Sequence, residues 1–217
     1  MMLTSAEPRR AGMVALFVEG EHAADVLKEI WIASGFHIGD DITDEQLHGL
    51  LRENDARRAE RKAASLLGYR AHSQKELVRK LCRTVPQEAA EQAAARMAEL
   101  GYVDDAKYAR ELARTLFGRK GFAAERVRLE LIRRGVDRGL AGQAVSELEP
   151  DPAEEIRGVV ERKFTRSLGD EKGRRRAVAA LRRMGYRWED IRGVLQEFTE
   201  GEHSDDEGPG SDDWQSD

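Results

Sequence analysis

Residues 119–148, RKGFAAERVRLELIRRGVDRGLAGQAVSEL, hold one complete unit of a pattern that the chain repeats. Val127 and Leu131 are four apart and share one helix face, and Gly135-Val136 ends that helix and turns into another. Fifty positions on, Ala177, Leu181, Gly185 and Tyr186 stand where Val127, Leu131, Gly135 and Val136 stood, and Val194, Leu195 and Phe198 answer Ala144, Val145 and Leu148. Fifty positions back lie Leu77 and Leu81, with the following helix displaced by two so that Leu100 matches Leu148. Self-similarity at this period predicts a helical array in which no single unit buries its own apolar face.

Working outward, the other helices take their starts from capping residues. Thr43-Asp-Glu-Gln46 and Ser73-Gln-Lys-Glu76 have capping-box spacing, the first ahead of Leu47, Leu50 and Leu51, the second ahead of Leu77 and Leu81. Pro86 interrupts before the stripe of Ala93, Met97 and Leu100, and Gly101-Tyr102-Val103-Asp104-Asp105 leads into a helix carrying Tyr108, Ala109, Leu112 and Leu116. Glu149-Pro-Asp-Pro152 breaks the chain before Ile156, Val159, Val160 and Phe164. Gly169 or Asp170 separates that helix from the one ending at Met184, and Trp188-Glu-Asp-Ile191 opens the last.

Upstream, Val14 to Val18 is a β run turned by Glu19-Gly20-Glu21-His22 into a second strand around Ala23 to Val26, while Leu27 to Ala33 fits helix or strand. The domain organisation expected is a disordered leader over 1–12, a small β-containing cap over 13–56, helical repeats over 57–103, 104–149 and 150–198, and an acidic disordered tail over 199–217.

Composition sharpens this. The 217 residues are 40% hydrophobic but only 6% aromatic, so the core is built mainly from Ala and Leu and its helices approach closely. The net charge of −5 is sorted by region: residues 1–56 carry 4 basic and 11 acidic side chains, residues 57–198 carry 32 and 22, and residues 199–217 carry 0 and 8. A basic body between acidic ends suits a polyanionic or acidic-faced partner. A single cysteine, Cys82, excludes an intramolecular disulfide and fits a reducing cytoplasm; it is expected to pack beside the Leu81 stripe. No run reaches the ~20 apolar residues of a spanning helix, and no signal peptide is expected.

Catalytic, cofactor and metal sites are not expected. Asp104 and Asp105 read as helix caps, the five histidines never fall at ligand spacing, and the glycines match neither dinucleotide nor Walker-type phosphate cradles. The signal that survives is basic: Lys75, Arg79, Lys80 and Arg83 in the first unit, Arg126, Arg128, Arg133 and Arg134 in the second, and Arg174, Arg175, Arg176, Arg182 and Arg183 in the third. A charge run is usually a solvated helix face whose Arg stems cover apolar surface. Its recurrence on corresponding helices favours contact with a repeating partner.

From Arg57 to Phe198 the chain resembles the RecX family, regulators of the bacterial recombinase RecA. The matching pieces are Leu66-Leu67, Tyr69-Arg70, Ser73-Gln-Lys-Glu76-Leu77, Lys80-Leu81, Gly101-Tyr-Val-Asp-Asp105 with Tyr108-Ala109, Arg126-Val127 through Glu130-Leu131 to Arg134-Gly135-Val136, and Leu181 through Met184-Gly185-Tyr186 to Ile191, Val194 and Leu195. Gly121-Phe-Ala-Ala replaces a tighter glycine-rich turn, Thr84-Val85-Pro86 lacks a helix-ending glycine, and the acidic tail is outside the pattern. The resemblance implies a mainly α fold, an elongated and curved tandem array of three three-helix repeats with a small β-containing cap. It implies a protein that lies in the helical groove of the RecA filament on single-stranded DNA, occupies several protomers at once, obstructs filament growth and its ATPase cycle and favours disassembly; a cytoplasmic monomer that is not an enzyme is expected. The alternative is a nucleic-acid-binding module that docks on phosphates without sequence preference and without RecA.

Overall fold

The computed structural model describes residues 1–148 and 151–201. Three antiparallel strands, β1 (Leu3–Pro8), β2 (Met13–Val18) and β3 (Glu21–Leu27), lie in that order. Central β2 buries Val14, Ala15, Leu16 and Val18, and pairs with β3 through Val14↔Val26 and Val18↔Glu21 across the Glu19-Gly20 turn. Residues 1–12 correct the expected leader: Leu3 to Pro8 form a strand in register with β2, from Leu3↔Val18 to Pro8↔Val14. Only Leu3 in that strand is buried, so its order comes from the backbone ladder and not from a side-chain period.

The segment that fitted helix or strand is α1 (Lys28–Ala33), and α2 (Asp44–Tyr69) starts on a complete capping box, with Thr43 N–H donating to Gln46 Oε1 at 2.8 Å and Gln46 N–H to Thr43 Oγ1 at 3.2 Å. The long α2 crosses the boundary expected at residue 56. Its first half closes the cap core of Leu3, Leu16, Val26, Ile30, Ile42 and Leu50, and buried Asn54 accepts the Leu27 N–H at 2.9 Å. Its second half supplies Ala59 and Ala63 to the next core.

That next core packs α2 against α3 (Gln74–Leu81) and α4 (Gln87–Glu99) through Leu77, Leu81, Ala90, Ala93, Ala94 and Met97. Small alanines allow the close helix approach that composition implied. Leu100 is 49% exposed, against the expectation that it closes the unit. Gly101 turns the chain at φ +75°, the Tyr102 and Val103 N–H groups both fold back onto the Met97 carbonyl, and Met97 and Val103 fill the place instead.

The remaining helices are α5 (Asp105–Thr115), α6 (Ala124–Arg133), α7 (Arg138–Ser146), α8 (Pro152–Lys163), α9 (Glu171–Met184) and α10 (Trp188–Gly201). Before α6, where Gly121-Phe-Ala-Ala stands in place of a glycine-rich turn, a π-helical turn over Leu116–Lys120 ends at left-handed Gly121. Asp151 and Asp170 cap α8 and α9. Ile156, Val159, Val160, Ala177, Leu181, Tyr186, Ile191 and Val194 form one apolar core. Helix α10 passes the boundary expected at 198, and the expected disordered tail beyond Gly201 lies outside the described residues.

The repeat is visible in burial. Leu77, Val127 and Ala177, and then Leu81, Leu131 and Leu181, are all fully buried. Gly135 and Gly185 both turn at positive φ, +91° and +99°, and each lies against the middle helix of the preceding repeat. A Cβ on Gly135 would sit 2.8 Å from Lys75 Cβ, and one on Gly185 2.8 Å from Arg126 Cβ. The chain divides into two compact units, one of Met1–Tyr108 with Arg134–Val136, the other beginning at Ala109 without those three residues.

Candidate functional site

Because Leu77 and Leu81 turn inward, α3 presents Lys75 and Arg79 outward on one stripe, with Arg83 exposed just beyond its end. None of these three has a carboxylate partner among the described residues. Lys80 differs: it is half-buried, 2.7 Å from His72 Nε2 and 3.7 Å from Glu76. Cys82, expected to pack, is exposed. It follows Leu81 by one position and therefore falls off the buried face.

Helix α6 buries Val127 and Leu131 and exposes Arg126, Arg128 and Arg133. Arg128 pairs with Glu125 at 2.8 Å and Arg133 with Glu130 at 2.9 Å, both within the helix. The Arg126 guanidinium lies 4.3 Å from the Phe122 ring centroid and donates to the Arg183 carbonyl, so the second unit brings Arg126 onto the end of α9. Arg134 is half-buried, and its carbonyl accepts the Ser73 hydroxyl.

On α9 the run Arg174, Arg175 and Arg176 is not uniform. Arg174 is half-buried, Arg175 is paired with Glu171 at 2.5 Å, and Arg176 donates to the Lys172 carbonyl at 3.4 Å. Arg182 and Arg183 are exposed without a carboxylate partner among the described residues. Since Ala177 and Leu181 define the buried side, the opposite arc carries Lys172, Arg175, Arg176, Arg182 and Arg183 with Glu171 as its acidic neighbour. The α3 cations belong to the first compact unit and those of α6 and α9 to the second.

Beneath the α3 cations lies a polar cluster that sequence reasoning missed. Ser73 caps α3 by accepting the Glu76 N–H at 3.1 Å, but the Glu76 carboxylate does not complete the box. It is 6% exposed and held by Arg70 through contacts of 2.6 and 3.2 Å, with the Tyr108 hydroxyl at 3.5 Å. Burial alone would raise the Glu76 carboxyl; the Arg70 hydrogen bonds and charge outweigh it and hold the group below its ordinary range. Burial and then the Arg70 charge push buried His72 down. The capping-box spacing hid this arrangement, because Ser-x-x-Glu reads the same whether the Glu turns back or sideways. Asp104 caps α5 through the Lys107 N–H at 2.8 Å, while Asp105 instead accepts the Gln74 N–H of α3 at 2.8 Å.

These groups hold a cationic helix face in place and include no built nucleophile–base pair. Among the described residues no three His, Cys, Asp or Glu side chains are grouped to hold a metal, and no helix is long and apolar enough to cross a membrane.

Comparison with known proteins adds the lineage. Residues 104–145 match the family model described as RecX, second three-helix domain. The regulatory protein RecX of Stenotrophomonas maltophilia (strain R551-3) is 38% identical over 133 residues, covering 60% of this chain and 81% of that protein. The regulatory protein RecX of Cronobacter sakazakii is 33% identical over 151 residues, covering 63% and 90%. The crystal structure of a regulatory protein RecX superposes with a TM-score of 0.59 at 17% identity, covering 90% of this chain and 98% of that one, and RecX from Lactobacillus salivarius gives 0.57 at 20%, covering 68% and 98%. Those two share the fold; the sequence relatives carry the descent. A mainly helical chain with a small N-terminal sheet, matched at this identity over most of its relatives' length, belongs to the RecX family of regulatory proteins.

Proposed function

We propose that the chain binds the RecA filament on single-stranded DNA, inhibits its ATPase and strand exchange, and limits filament growth in recombination and DNA repair, acting as a cytoplasmic monomer and not as an enzyme. The three repeats at 57–103, 104–149 and 150–198 are the units that follow successive protomers. One observation carries the reading: the corresponding helices α3 and α9 each turn cations without carboxylate partners away from the core, Lys75 and Arg79 on one, Arg182 and Arg183 on the other. Arginine and lysine left unpaired on a rigid helix suit carboxylates or phosphates spaced along a polymer.

The test is RecA ATPase on single-stranded DNA with the purified chain titrated in, and the expected result is saturable inhibition. The same cations suit phosphate directly, which keeps the RecA-independent nucleic-acid module as a second reading. That reading requires tight single-stranded DNA binding without RecA whose affinity falls steeply with salt. The regulator reading requires inhibition at salt concentrations where such binding has disappeared.

A further inference from the structure

Opposite its buried side, α9 shows solvent one stripe made of Lys172, Arg175, Arg176, Ala179, Arg182 and Arg183, all of them exposed. Ala179 stands three residues from Arg176 and Arg182 and four from Arg175 and Arg183. Those are the spacings of neighbours on a helix surface, so a small apolar spot is ringed by four arginines. Glu171, already paired with Arg175, is the only acid within α9, and Asp170 just before it is engaged in capping the helix at Gly173. Arg126 adds a further cation at the far end, where its guanidinium donates to the Arg183 carbonyl.

Such a stripe suits an aromatic ring laid on the alanine between guanidinium planes, with carboxylates on either side of it. The chain carries that combination itself. Residues 202–217 hold seven acidic side chains, no lysine or arginine, and Trp214 as the one large apolar side chain, in the run Asp212-Asp213-Trp214-Gln-Ser-Asp217. Asp212 to Asp217 in extended form cover about 17 Å. Lys172 to Arg183 cover about the same distance along a helix rising 1.5 Å per residue. The intervening residues 202–211 allow a reach of roughly 35 Å from Gly201, against about 21 Å for the whole of α9. Tethering raises the effective concentration to the order of millimolar, so contacts that are weak between separate molecules suffice.

We propose that residues 212–217 of the chain dock on this stripe, Trp214 over Ala179 among the four arginines, with Asp212 and Asp213 at one arginine pair and Asp217 at the other. The contact itself does not depend on the function proposed above. Its consequence, that a partner must displace the segment from Arg182 and Arg183, rests on that reading.

The experiment is paramagnetic relaxation NMR on the full-length, isotopically labelled chain, with Cys82→Ser and a spin label attached at Gln215→Cys, at low salt. The expected result is amide broadening concentrated at residues 172–183, unchanged on dilution and lost at about 1 M salt, where charges are screened beyond about 3 Å. Trp214→Ala should reduce that broadening several-fold through the lost cation–π contacts. Asp212→Asn with Asp213→Asn should reduce it more than Asp205→Asn with Asp206→Asn, which removes the same charge elsewhere in the segment. Broadening that is absent or centred outside α9, that survives Trp214→Ala unchanged, or that falls equally with either aspartate pair would overturn the proposal. Broadening that fades on dilution would assign the segment to a second copy of the chain and overturn it as well. RecA takes no part in the measurement, so either outcome leaves the proposed function to its own test.

Discussion

Glu76 is a carboxylate buried among groups that need it charged, and its surroundings set how the first unit responds to acid. His72 Nδ1 lies 2.8 Å from the Arg70 carbonyl and its Nε2 lies 2.7 Å from Lys80 Nζ. Lys80 can only donate, so His72 accepts at Nε2 and carries its proton on Nδ1; a second proton would break the Lys80 contact. Both groups thus ionise lower in the folded chain than their ordinary values of 6.5 for the histidine and 4.5 for the carboxylate. A depressed value means that protons bind the unfolded chain more readily. The stability these groups contribute is present above the unfolded values and is lost as pH falls, first through the histidine range and then through the carboxylate range. Glu76→Gln is expected to lower unfolding free energy by about 1.5 to 3 kcal/mol at pH 7, through loss of the charge-assisted Arg70 bonds. Urea midpoints should show the gap to wild type narrowing at pH 4; an unchanged gap would contradict the assignment. On α6, Leu131 is fully buried and Leu129 is 58% exposed. Leu131→Ala should cost ~2 to 5 kcal/mol and Leu129→Ala little, measured by chemical denaturation.

Helices α3, α6 and α9 were legible because a stable helix must place apolar residues at fixed intervals, and the inward pairs Leu77/Leu81, Val127/Leu131 and Ala177/Leu181 do so at one offset. The glycines that end α6 and α9 were legible for a related reason, since only glycine tolerates both the positive φ and the neighbouring Cβ. Strand β1 was not, because its order rests on backbone pairing with β2 and leaves one buried side chain to read. The Arg70–Glu76 pair was hidden too, since it depends on the angle at which α2 meets α3. For the candidate surface, sequence located the cations but not their partners, and pairing decides which are available. Arg182→Glu with Arg183→Glu should therefore reverse attraction on α9 with little change in stability, exposed charges being worth little individually. Arg175→Glu, whose wild-type side chain is already engaged by Glu171, should have a smaller effect on filament inhibition. Equal effects in the ATPase assay would remove the distinction drawn between paired and unpaired cations.

Along the whole sequence charge is sorted by region: residues 202–217 carry seven acidic side chains and no basic ones. An acidic segment tethered to a basic body competes with any polyanion for it, and at low ionic strength that competition reaches about 10 Å or more. Deleting residues 202–217 is expected to leave the unfolding transition nearly unchanged and to tighten single-stranded DNA binding at low salt, by an amount that fades as salt rises. Equal affinity of full-length and shortened chains at all salt concentrations would remove the shielding idea. The central claim, that a RecX-family helical array regulates RecA through cations on its outward helices, is tested most directly by one titration. RecA ATPase on single-stranded DNA is measured against increasing wild-type chain and against Arg182→Glu/Arg183→Glu, with circular dichroism confirming that the variant is folded. Saturable inhibition by wild type and strongly weakened, salt-dependent inhibition by the variant are expected; no inhibition by wild type at any concentration, or full inhibition by the folded variant, would rule out regulation through these cations.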